Sequence, residues 1–193
     1  MSRLQIRVFS PLICMHNIEG LVLSHPRKMN TAPQSDRHLP SRDGLSQKPA
    51  PAKARFWDKS ARRYAASPIA DAVGYERSLL RTRQWLKRTD RVLEIGCGTG
   101  TTALRLADSV AAYVATDVSA RMVDIAREKL AQDPCPQLRF DVADADAPAT
   151  SASAHDAVLA FNVLHLVANL DAALASCASA LRPGGLLITK TPC

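Results

Sequence analysis

The sequence predicts an α/β domain built on a mainly parallel sheet. Three observations lead to that class. Residues 91–100 read Arg-Val-Leu-Glu-Ile-Gly-Cys-Gly-Thr-Gly, an apolar run that breaks into three glycines. Residues 101–107 then resume at helical spacing, so strand, glycine turn and helix follow one another directly. Further short apolar runs recur downstream with helical segments between them, the order of repeated strand–helix–strand units.

Each element has a local reason. Residues 1–55 hold nine Lys/Arg against three Asp/Glu, and residues 24–53 carry Pro26, Pro33, Pro40, Pro49 and Pro51 among Ser, Lys and Arg. Such a composition buries too little apolar surface to offset ordering. Residues 1–55 are therefore expected to be a disordered extension, or one produced by a start assigned upstream of Met15 or Met29. A targeting segment ranks behind these, because Pro11, His16, Asn17 and Glu19 interrupt the apolar stretch. The folded domain is expected over residues 56–193. Residues 56–64 open it, residues 65–69 punctuate it, and residues 75–86 read as a basic amphipathic helix. Val92, Leu93 and Ile95 make the first strand, buried on both faces. Gly96, Gly98 and Gly100 form the turn, and Leu104 and Leu106 lie in the helix that follows.

Residues 113–117 read as a second strand that ends in an acid, Asp117, 23 residues after Glu94. Ser119 is a good N-cap for the next helix, which leaves Asp117 free for other work. Residues 138–142 are a third strand, followed by Ala143, Asp144 and Ala145. Residues 156–161 are a fourth, ending at Phe161 and leading into Asn162 and His165. Residues 181–185, with Pro183, Gly184 and Gly185, are a turn into a fifth strand at 186–189.

The glycine spacing separates two ligand classes. A dinucleotide-binding turn carries G-x-G-x-x-G and seats a diphosphate on the helix N-terminus. Here the third glycine comes one residue early, and Glu94 stands two residues before the first. A carboxylate at that point suits a cationic ligand. On these residues the chain resembles the class I S-adenosylmethionine-dependent methyltransferases, whose first motif is E/D-x-G-x-G-x-G. The resemblance runs over roughly residues 56–191. It implies a Rossmann-like three-layer sandwich and S-adenosyl-L-methionine as cofactor.

The resemblance also assigns roles. Glu94 would face the methionyl end, with Gly96, Gly98 and Gly100 as the turn around it. Asp117 would accept both ribose hydroxyls, with Val118 and Met122 flanking the adenine. Asp144, followed by Ala145, would accept from the adenine amino group, and Phe161 would close the site at the end of the fourth strand. Phe56, Ala61 and Tyr64 resemble the lead-in of small-molecule methyltransferases of the ubiquinone-biosynthesis type, in which such a tyrosine approaches the methionyl carboxylate. The family's sheet has seven strands, ordered 3-2-1-4-5-7-6. The motifs here stop after the fifth, so the sheet is expected to be truncated there. Residues 186–191 would then form a bare apolar edge open to self-association.

The implied reaction is in-line displacement of the sulfonium methyl by an O, N or C nucleophile on a small-molecule acceptor. The protein's task is alignment and exclusion of water. No catalytic residue is named. His165, between Leu164 and Leu166, reads as a core or rim residue. The N/D-P-P-Y segment of many amino-group methyltransferases is absent after the fourth strand, where Asn162 to His165 stand instead. Two other functions compete: a non-catalytic cofactor-binding or interaction protein, and a nicotinamide-dependent oxidoreductase, which the glycine spacing and Glu94 disfavour.

Composition bounds the rest. The net charge of +7 lies outside the glycine-rich region: residues 56–90 hold eight Lys/Arg against four Asp/Glu, and residues 91–193 eight against eleven. The basic segments lack interleaved aromatics, so they read as solvated surface and not as a nucleic-acid face. The five cysteines form no C-x-x-C pair, and no histidine cluster completes a metal site. They point to reduced thiols in a cytoplasm. No run approaches the roughly 20 apolar residues that span a bilayer.

Overall fold

The computed structural model describes residues 52–146 and 152–191, together with the backbone of residues 5–9. The elements are β1 (Gln5–Phe9), α1 (Ala52–Ala66), α2 (Ala72–Trp85), β2 (Arg91–Ile95), α3 (Thr101–Leu106), β3 (Ala112–Asp117), α4 (Ala120–Gln132), β4 (Leu138–Val142), β5 (His155–Phe161), α5 (Leu170–Ala180) and β6 (Leu181–Lys190). The strands form one sheet in the order β1-β6-β5-β2-β3-β4, and every pairing is parallel. The five expected strands thus sit in the expected order, 3-2-1-4-5, as β4-β3-β2-β5-β6.

The sheet is parallel because each strand is buried on both faces. Val92 and Leu93 are both fully buried and point to opposite sides. On one side Val92, Tyr113, Phe140 and Leu159 pack with Leu79 of α2, Leu106 of α3 and Val123 of α4. On the other, Leu93, Ile95, Val158 and Leu187 pack with Cys177 and Ala180 of α5. Local chemistry sets the helix starts. The Asp71 carboxylate accepts from Gly74 N–H at 2.8 Å, the Ser119 hydroxyl from Met122 N–H at 3.1 Å, and the Asn169 side chain from Ala172 N–H at 2.9 Å.

Three expectations need correction. The outer edge of β6 is not bare. Residues Gln5 to Phe9 pair with it in parallel, from Gln5 opposite Leu186 to Phe9 opposite Lys190. Its donors and acceptors are met by a strand drawn from the segment expected to be a disordered extension. The remainder of that segment up to residue 51 lies outside the described residues. The folded domain also starts earlier than residue 56, since α1 begins at Ala52. The Pro-Gly-Gly stretch, expected as a turn, is a bulge within β6. His155 faces Leu181 while Ala157 faces Leu186, and Gly184 takes a φ of 80° in the loop thrown out between them.

The topology also places a crevice. β2 is the first strand of the expected core, and its neighbours β3 and β5 are reached by crossovers running in opposite directions. Ligands of open α/β sheets sit at the carboxyl ends of the strands where the order reverses.

Candidate functional site

A cavity of about 610 Å³ opens at the carboxyl ends of β2, β3, β4 and β5. Its volume is that of an ordinary small-ligand pocket. Ten of the eleven residues singled out from sequence line it: Tyr64, Glu94, Gly96, Gly98, Asp117, Val118, Met122, Asp144, Ala145 and Phe161. Gly100 does not.

The three glycines of the turn do three different jobs. All have positive φ, 67°, 54° and 77° in chain order. A Cβ on Gly96 would run into the side chain of Val163. A Cβ on Gly100 would stand 2.7 Å from Phe140 Cζ and 2.8 Å from Ala126 Cβ. Gly100 therefore lets α3 and the core of α4 and β4 close together, away from the cavity. Only Gly98 faces open space, with Tyr64 Cε1 at 3.6 Å as its nearest neighbour. Gly100→Ala is expected to cost about 2–4 kcal/mol of stability, from left-handed strain and overpacking together. Ligand binding per folded molecule should be unchanged. Urea unfolding monitored by circular dichroism measures the first, and calorimetric titration the second.

Asp117 ends β3 with both carboxylate oxygens engaged. Oδ2 accepts from Gly98 N–H and Oδ1 from Ser119 N–H, each at 2.9 Å. Burial pushes its pKa up, and these backbone donors pull it back. The contacts tie the glycine turn to the next helix and fix the carboxylate's plane at the cavity wall. Each oxygen keeps a lone pair for a ligand hydroxyl. Met122, 2% exposed, forms the wall on the first turn of α4.

Glu94 lies beneath the turn at 2% exposure. Tyr113 Oη–H donates to its Oε2 at 2.8 Å. Burial is the main force on its carboxyl and raises the pKa to about 7; the Tyr113 hydrogen bond opposes this and the Asp117 charge adds to it. The same burial raises the Tyr113 hydroxyl and the Cys97 thiol well above their ordinary ranges. Cys97 is therefore a protonated, inert wall of the loop.

Helix α1 forms the roof. It packs on α4, where the Asp58 carboxylate accepts from the Ser119 hydroxyl at 2.6 Å and from Arg121 N–H at 3.1 Å. Lys53, Trp57 and Tyr64 reach the cavity from one face of this helix. Lys53 Nζ bonds Asp144 Oδ1 at 2.5 Å and Asp146 Oδ2 at 3.2 Å. Sequence reasoning missed Lys53, which fell inside the presumed extension. It also missed Tyr75, whose hydroxyl lies 3.3 Å from Thr102 Oγ1, and Val163. His165, read as a core or rim residue, lies exposed on a short 3₁₀ turn (Leu164–Leu166) and lines the cavity with Leu166. The outer part of the cavity is largely apolar: Pro68, Ile69, Ala70, Phe161, Leu166 and Val167. Among the described residues no group of His, Cys, Asp and Glu is arranged to hold a metal.

Residues 92–185 match a family described as a methyltransferase domain. A non-reducing polyketide synthase of Aspergillus terreus is 38% identical over 110 residues, covering 52% of this chain and 4% of that protein. The ubiquinone biosynthesis O-methyltransferase of a Chelativorans species is 33% identical over 101 residues, covering 52% of this chain and 40% of that protein. The crystal structure of the PH0226 protein of Pyrococcus horikoshii has a TM-score of 0.58 at 20% identity, over 66% of this chain and 64% of that one, a likeness of fold. The chain thus spans less than two thirds of the length of each of these relatives.

Proposed function

We propose that this chain, which belongs to the class I S-adenosylmethionine-dependent methyltransferases, binds S-adenosylmethionine in the cavity above β2 to β5 and transfers its methyl group to a small, largely apolar acceptor. The single observation that carries this reading is the convergence of Glu94, Gly98 and Asp117 on one cavity of suitable size. When bound, the cofactor supplies a sulfonium-activated methyl group, so chemistry needs little beyond alignment.

The residues fit such a ligand. Asp117, braced by Gly98 and Ser119, is a rigid acceptor for a ribose diol. Gly98 lets the ligand lie against bare backbone. Val118 and Met122 offer flat apolar faces to an adenine, with Asp144 and Ala145 at its edge. Glu94 supplies a buried carboxylate that accepts from the Tyr113 hydroxyl and feels the Asp117 charge, so a cationic methionyl end would provide the counter-charge. Tyr64 roofs this end over Gly98.

The acceptor would enter between Tyr64, Ile69, Phe161 and Leu166, whose apolar surfaces exclude water from the line of attack. His165 lies exposed at this rim. The relatives' names, a non-reducing polyketide synthase and a ubiquinone biosynthesis O-methyltransferase, support a small-molecule acceptor. Cys97, Cys135 and Cys177 are free thiols, which suits a reducing, cytoplasmic setting. No helix among the described residues is long and apolar enough to cross a membrane.

Calorimetric titration with S-adenosylmethionine, with NAD as the control, tests the reading. Saturable binding of the first and none of the second is expected; the reverse would replace it with an oxidoreductase. Asp117→Ala should weaken S-adenosylmethionine binding by about 1.5–3 kcal/mol, the scale of hydrogen bonds to a charged group. Equal affinity in a folded Asp117→Ala chain would remove the ribose assignment.

A further inference from the structure

Helix α1 is held over the cavity at two points of different kind. Asp58 ties it to the N-terminus of α4 through Ser119 and Arg121, outside the cavity lining. Lys53, one and a half turns earlier, ties it to the loop after β4 and does so inside the cavity. Its ammonium bonds Asp144 Oδ1 at 2.5 Å, the oxygen that also receives Asp146 N–H at 3.1 Å. Asp146 Oδ2 takes a second bond from Lys53, while its buried Oδ1 has no partner among the described residues. Ser176 of α5 fixes the Asp146 carbonyl at 3.1 Å. The loop is thus anchored from below, and Lys53 is its only partner from above among these bonds.

We propose that Lys53 is a displaceable latch: it holds Asp144 while the cavity is free and is exchanged for the exocyclic amino group of the adenine when the cofactor enters. The inference rests on the proposed binding of S-adenosylmethionine in this cavity. It follows from the adenine role proposed for Asp144 and from two facts of placement: Lys53 already donates to Asp144 inside the cavity, and both side chains are about 30% exposed, so the pair can open to solvent. A neutral amino donor replacing a cation leaves the ammonium free to swing out with its flexible stem. Asp58 meanwhile keeps α1 in place, so only the start of the helix must move. Lys53 is therefore a positioning residue that acts on ligand affinity through Asp144, and α1 is a roof hinged at Asp58.

The test is calorimetric titration of the whole chain and of Lys53→Met, Lys53→Arg and Asp144→Asn variants with S-adenosylmethionine and with S-adenosylhomocysteine. A part-buried ion pair must be given up on binding, so Lys53→Met should bind both ligands about two- to fivefold more tightly. Lys53→Arg should match the original chain. Combining Lys53→Met with Asp144→Asn should give no gain over Asp144→Asn alone, since the two act as one unit. Affinity unchanged or weakened in Lys53→Met would overturn the latch. So would a gain confined to S-adenosylmethionine, because it would reflect only relief of repulsion between the ammonium and a cationic ligand. Absence of binding of either ligand to any form would instead overturn the methyltransferase reading, and the latch with it.

Discussion

Gly98→Val should abolish binding of S-adenosylmethionine while the chain still folds. Valine at a φ of 54° is strained by about 1–2 kcal/mol, a cost the domain can bear. Its Cβ would meet nothing closer than Tyr64 Cε1 at 3.6 Å, so the strain is not compounded by a core clash. The two added methyl groups would occupy the floor of the cavity, where the proposed ligand must touch backbone. The expected loss is more than a hundredfold in affinity, on the order of 3 kcal/mol or above. Titration of the variant, with circular dichroism to confirm the fold, measures it. Binding within threefold of the original would mean that the turn does not face the ligand. The comparison with Gly100→Ala is the sharper result. The two glycines stand two residues apart, yet one substitution should remove binding and the other stability.

The second large effect comes from Glu94. Its carboxyl titrates near 7 in the folded chain, above the ordinary value of 4.5. An acid whose pKa is raised by folding keeps its proton longer in the folded state. Stability is therefore fully present below about 4.5 and declines as pH rises through 7. The whole decline amounts to roughly 3 kcal/mol. Glu94→Gln removes the titrating charge and can still accept from Tyr113. It should melt higher than the original chain at pH 8, with the gap closing toward pH 5. Ligand affinity should move the other way. The ionised form attracts a cationic methionyl end, so the original chain should bind S-adenosylmethionine more tightly at pH 8 than at pH 6. The glutamine variant should bind weakly and with little pH dependence. Melting curves and titrations at pH 5, 6, 7 and 8 test both halves. A flat affinity profile in the original chain would separate Glu94 from the ligand. Stability and binding are opposed at this residue, because the charge that is costly to bury is the one a cation would neutralise.

How far the sequence could be read depends on how local each feature is. The first strand, the glycine turn and the acid ending β3 lie close together in the chain, and Glu94, Gly96, Gly98 and Asp117 from them line one cavity. Ser119 was read as the cap of α4 on the strength of its position alone, and its hydroxyl does accept from Met122 N–H. Lys53 escaped because proline, serine and basic residues dominate residues 24–53, and composition set the domain boundary four residues late. Its role depends on Asp144, 91 residues away, and no spacing rule relates the two. Gly100 shows a different limit. The motif treats its three glycines alike, whereas the packing of Phe140 and Ala126 makes one of them a matter of core closure. The strand at residues 5–9 was missed for a related reason: an edge strand of five residues is defined by its partner more than by its own pattern.

That edge pairing has a consequence for how the chain reaches its fold. Gln5 meets Leu186 across 181 residues of sequence, so β1 and β6 form the least local contact in the sheet. Such contacts are slow, because chain entropy must be surrendered before the hydrogen bonds are gained. β2, β3 and β4 are joined by short crossovers and can assemble first, leaving β6 docked on β5 with its other side open. During that interval a neighbouring chain competes with β1 for the same donors and acceptors. Protein concentration should therefore act on the yield of refolding more than on the stability of the finished domain.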